Sequence, residues 1–119
     1  MIIRELLDRV PVLQKLGKQE MSVKTLYGVS RMLDKLEEYL RFYENERREI
    51  LRKYCETRDG KTVPRAGMED KVSDRFRELL EFEVDLDGLE PVVIPADEGI
   101  RLSYNDLQLV REFVRIGED

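Results

Sequence analysis

A chain of 119 residues with 26 Asp and Glu against 21 Lys and Arg carries a net charge of -5, which argues against blanket electrostatic attachment to nucleic acid or an anionic membrane. It holds no His or Trp and one cysteine, Cys55, so His-based triads, His metal sites and internal disulfides are excluded together. That length is enough for one modest core, burying about 65% of the surface of the unfolded chain.

The first ten residues, MIIRELLDRV, mix two acids and two arginines with the apolar positions, which fits neither a secretory leader nor a membrane span. A cytoplasmic setting is the expectation. Ile3, Leu6, Leu7, Val10, Leu13 and Leu16 recur at helical spacing, but Pro11 falls inside the run. A break or kink is expected there, with a helix restarting at Pro11 and closing on a left-handed Gly17. After a short link, Ser22 is the expected N-cap of the next helix, with Met21 stapled to Leu26.

That second helix dominates the chain. Leu26, Val29, Leu33, Leu36, Leu40, Tyr43, Ile50 and Tyr54 follow one another at steps of three and four, and Arg47 is the one cation in the seam. Tyr27, Met32, Tyr39 and Leu51 widen the stripe, so more than one neighbour is required. Acid-to-base pairs Glu37 to Arg41, Glu44 to Arg48 and Glu49 to Lys53 mark the solvated face. From Leu26 to Tyr54 the helix spans roughly 43 Å, longer than a compact domain of this size needs. The projecting part predicts a homo-oligomer, expected as a dimer, through Leu33, Leu36, Leu40, Tyr43 and Ile50.

Asp59-Gly60 is a turn signal, and the following stretch through Pro64 and Gly67 reads as a loop with a short extended piece near Val63. Val72, Phe76, Leu79 and Leu80 predict three turns of helix capped by Asp70 or Ser73. The period then changes to two: Phe82, Val84 and Leu86 alternate with Glu83, Asp85 and Asp87, predicting a half-buried strand. PVVIP predicts a second strand, held to two or three residues by its prolines. In SYNDLQLVREFV, Ser103 and Asp106 form a capping-box pattern, and Leu107, Val110, Phe113 and Val114 share one helical face.

The predicted fold is therefore α+β and predominantly α-helical: a long central helix, a shorter N-terminal helix, and a C-terminal unit of two helices around a small two-stranded sheet. One domain covers 1–119, with 1–57 as a helical hairpin and 58–119 as a small α+β unit.

The segment SVKTLYGVSRMLDKLEEYLRFYENERREILRKY, the acidic glycine turn, FRELLEFEVDLDGLEPVVI and LSYNDLQLV, in that order, resemble a family of small proteins encoded by bacteriophages and prophages and known only as a domain of unknown function. The likeness is strongest over FYENERREILRKY and FEVDLDGLEPVVI. It implies a phage setting, inside the infected bacterium, and carries no site residues. Small acidic phage proteins without enzymatic motifs act by binding, as stoichiometric counter-defence inhibitors or as virion assembly parts.

The chemistry the residues offer is sparse. Asp85, Asp87, Glu90, Asp97 and Glu98 suggest calcium only superficially, because the glycine of DLDG comes too early and no bidentate Glu follows at the twelfth position. Cys55 lacks a His partner and lies at a helix C-terminus, whose dipole opposes a thiolate. No metal, cofactor or catalytic residue is expected, and non-enzymatic sequestration of a host protein or small nucleotide-like anion is the leading function, with tail or capsid assembly as the alternative. Arg47 admits three placements. It can snorkel to water, pair with an acid on a neighbouring helix or second copy, or join Tyr43, Arg48 and Tyr54 in gripping a phosphate or carboxylate.

Overall fold

The computed structural model describes residues 1–117. Helix α1, Ile3–Gly17, runs through Pro11 without interruption, contrary to the expected break. The proline ring is exposed while Ile3, Leu6, Val10, Val12, Leu13 and Leu16 are buried. Their burial, at about 1.5–3 kcal/mol for each side chain, offsets the roughly 3 kcal/mol an interior proline costs. Gly17 is likewise not left-handed. It ends the helix in the helical conformation, and its Cα lies against α2, where an added Cβ would sit 3.6 Å from both Leu33 Cδ1 and Val29 Cγ1.

Helix α2, Val23–Tyr54, has 32 residues, about 48 Å of rod. It starts where expected: the Ser22 side chain accepts from the Thr25 amide at 3.3 Å. Gly17 meets Val29 and Leu33, and Val10 meets the Leu33–Leu40 region, so α1 packs antiparallel on the first half of α2. The second half is covered by α3, Glu69–Leu80, through Ile50 and Leu79. Asp70 lies in the first turn of α3 and neither it nor Ser73 is its cap; Met68 occupies that position with no side-chain bond.

Between them the chain makes a hairpin. Strand β1, Cys55–Arg58, begins at the residue after α2 and pairs antiparallel with β2, Lys61–Pro64. Asp59 and Gly60 both take positive φ, 53° and 76°, the two-residue turn whose twist suits adjacent antiparallel strands. Cys55 is buried at the junction. The boundary expected between 57 and 58 therefore falls inside β1.

After α3 the alternating stretch forms no regular strand. It makes a single antiparallel bridge, Ile2 to Glu83, in which the Ile3 amide donates to the Phe82 carbonyl and the Val84 amide to the Met1 carbonyl. Strand β3, Val92–Ile94, pairs in parallel with β4, Val114–Ile116. The connection passes through a 3-10 turn at Ala96–Glu98 and helix α4, Tyr104–Val110, as a parallel pair requires. The helix predicted to continue through Val114 thus ends at Val110, because Val114 and Ile116 are drawn into the ladder. The fold is α+β and predominantly helical, with two small two-stranded sheets among the described residues.

Side-chain to backbone bonds fasten the irregular segments to the helices. Gln19 donates to the Arg101 carbonyl at 2.6 Å and accepts from its amide at 2.8 Å. The Tyr39 hydroxyl donates to the Asp85 carbonyl at 2.8 Å and accepts from the Asp85 amide at 2.9 Å. The Ser22 amide donates to Glu98 Oε2 at 2.8 Å. Ion pairs Lys15–Asp106 at 3.3 Å and Arg9–Glu112 at 3.7 Å bind α1 to α4 and the turn after it. No helix among the described residues is long and apolar enough to cross a membrane.

Candidate functional site

Apolar side chains that the fold leaves in water are the first places to look for contact with another molecule. On α2, Phe42, Glu46 and Ile50 stand four residues apart and share one face. That face meets the C-terminal end of α3, which supplies Arg75, Glu78 and Leu79, and the chain then leaves the helix at Phe82. The Phe82 carbonyl is held by the Ile3 amide at 3.0 Å, which fixes the backbone where its ring meets Phe42. The two ring centroids are 5.1 Å apart with the planes inclined at 40°, a tilted aromatic pair.

Phe42 is 38% exposed and Phe82 47%. The rings wall an open depression of about 190 Å³ whose floor is Ile50 and Leu79. Its rim is acidic in balance: Arg75 Nη1 is taken up by Glu78 Oε2 at 3.3 Å, leaving the Glu46 carboxylate without an ion pair among the described residues. One turn on, Glu49 is engaged by Arg52 at 2.9 Å and Lys53 at 4.0 Å.

The residues singled out in the sequence are not gathered into a pocket. Arg47 and Arg48 are exposed and Tyr43 and Tyr54 half-buried, and none of the four lines the aromatic depression. Along the helix axis Tyr43 and Tyr54 are about 16 Å apart, too far to hold one small anion between them. The Tyr54 ring is met instead by Lys71, whose Nζ is 5.8 Å from its centroid. Arg47 stands in water. The seam there passes through half-buried Glu46 rather than Arg47.

Of the residues expected at an oligomer interface, Leu36 and Ile50 are core within the protomer, 1% and 3% exposed. Leu33, Leu40 and Tyr43 are half-buried. Leu33 and Leu40 line a second shallow depression, of about 320 Å³, with Val10, Glu37, Arg41 and Glu44. The acids of DLDG have a local role: Asp85 Oδ1 accepts from the Asp87 amide at 2.9 Å, shaping a turn completed by Gly88 at φ 79°. No group of three or more His, Cys, Asp or Glu among the described residues is placed to hold a metal ion.

No sequence motif singles out Phe42 or Phe82 as a contact residue. Phe42 lies off the heptad seam, and an aromatic on a polar helix face is the signal it offered. Alternation places Phe82 on the buried side of a strand, and that strand does not form. Comparison with protein-family models, curated proteins and solved structures gives no match.

Proposed function

We propose that this chain is a non-enzymatic, stoichiometric binding protein whose contact surface is the Phe42–Phe82 face, acting in a phage setting to sequester a host protein. The observation that carries the reading is the exposed ring pair over an apolar floor with an unpaired carboxylate on its rim. Aromatic anchors bordered by polar groups are what protein interfaces concentrate. The partner this face suits presents an apolar side chain flanked by Lys or Arg, since Glu46 gives the rim its sign. A protein is preferred over a small nucleotide because Tyr43, Arg47, Arg48 and Tyr54 lie along a convex rod. The phage setting rests on the sequence resemblance.

The test is affinity capture from host lysate with the wild-type chain, Phe42→Ala/Phe82→Ala and Glu46→Lys, followed by titration of the captured protein in purified form. One protein is expected to bind the wild type at a one-to-one ratio, to bind Glu46→Lys at least about tenfold more weakly, and to be lost from the double alanine variant. Equal capture by all three chains would contradict the reading. An assembly role is the second reading, favoured by the 57 × 31 × 23 Å envelope, which exposes more lateral surface than a sphere. Detection of the chain in purified virions would support it.

A further inference from the structure

One strip on the middle of α2 carries four charges without ion-pair partners among the described residues. Glu37, Arg41, Glu44 and Arg48 are all exposed, and none takes part in an ion pair among the described residues. The spacing that suits them to pairing along the helix is not used; each stands free. Helix geometry puts the four within an arc of roughly 60°, as one strip. Leu33 and Leu40 run beside the strip, half-covered by Val10 of α1.

The order of signs along the strip is minus, plus, minus, plus. Reversed, it becomes plus, minus, plus, minus, so the strip complements itself when two copies lie antiparallel. A two-fold axis between Arg41 and Glu44 sets Arg41 of each copy against Glu44 of the other, and Glu37 of each against Arg48 of the other. All four contacts are attractive. A parallel, in-register arrangement would set like charge on like. Leu40 lies about 4 Å along the helix from that axis and to one side of the strip, so the two copies of this half-buried side chain would flank the central charge contacts.

We infer that a second copy of this chain docks antiparallel on this strip, giving a two-fold dimer through Leu40, Glu37, Arg41, Glu44 and Arg48. Such an isologous contact closes on itself and stops at two. It is independent of the aromatic face: Phe42 lies roughly 130° around α2 from the strip, so the dimer leaves both Phe42–Phe82 faces open.

Sedimentation equilibrium on the full chain tests this with charge reversals. The wild type is expected to be dimeric, and Arg41→Glu and Glu44→Arg each to weaken the dimer at least about tenfold, because attraction becomes repulsion at the two central contacts. Mixed in equal amounts, the two variants are expected to form a heterodimer as tight as the wild type, since the reversed charges then face their opposites. No role internal to the protomer produces that rescue. Thermal melts check that each variant is folded, and Glu37→Lys with Arg48→Glu repeats the experiment at the outer contacts. A monomeric wild type, a dimer unaffected by reversal, or a mixture that stays dissociated would each overturn the inference.

Discussion

Glu49 holds two cations at once. Arg52 Nη2 donates to Oε2 at 2.9 Å and Arg52 Nε to Oε1 at 3.4 Å, while Lys53 Nζ stands at 4.0 Å. The hydrogen bonds from Arg52 are the main cause that holds the carboxyl below its ordinary range; desolvation opposes them, and the charges of Arg52 and Lys53 add to them. The same contact raises the Arg52 guanidinium. A carboxyl whose folded pKa is depressed contributes stability above its unfolded value and loses it as pH falls through the folded one. Arg52→Met is expected to return the Glu49 titration upward toward an ordinary glutamate, as followed by carboxyl-carbon NMR. The difference in melting temperature between the two chains should be present at neutral pH and disappear in acid. An unchanged titration would mean that the pair is not populated in solution. Arg47 has no such partner among the described residues, and being in water it needs none.

Packing decides what the elements tolerate, and the two glycines that touch α2 contacts show it. At Gly17 a methyl group would enter ordinary contact with Leu33 and Val29 at 3.6 Å, in a backbone already helical. Gly17→Ala is therefore expected to stabilise the protein by about 0.5–1 kcal/mol through the unfolded chain, raising the melting temperature by a few degrees; a fall would show that the contact is tighter than the geometry allows. Gly28 differs, since its added Cβ would stand 3.1 Å from Val92 Cγ1 and press on β3. The long helix, its Ser22 cap, the Asp59-Gly60 turn and the three-residue limit on β3 were legible because each is set by neighbours in sequence. The continuity of α1 through Pro11 was not, because burial of six side chains against other elements outweighs a local penalty. Nor was the parallel β3–β4 pair: Val114 reads equally well as the fourth turn-mate of Val110 or as a strand residue, and only the distant Val92–Ile94 decides. The Phe42–Phe82 pair was invisible for the same reason, since forty residues separate two rings that α3 brings together.

On the scale of the molecule, α2 is a spine with different work on different sides. The face toward α1 and the face toward α3 are core, joined through Leu36 and Ile50. The Phe42–Phe82 side is proposed to meet a partner protein, and the strip from Glu37 to Arg48 a second copy. A dimer built in that way would offer two binding faces on one side of the pair, splayed roughly 80° apart, and a partner with two sites could be held with an avidity that neither face supplies alone. The irregular C-terminal half serves this arrangement by covering the spine elsewhere, fastened by Tyr39, Gln19 and Ser22 to segments that have little regular structure of their own.

The direct test is site-specific photocrosslinking, with a benzophenone side chain placed either at Phe42 or at Arg47 and illuminated in bacterial cells that express the chain. The expected result is a single heterologous crosslink from position 42, competed away by unmodified chain and absent from position 47. A crosslink from position 47 with none from position 42 would contradict the aromatic face as the binding surface and return the function to the exposed arginine.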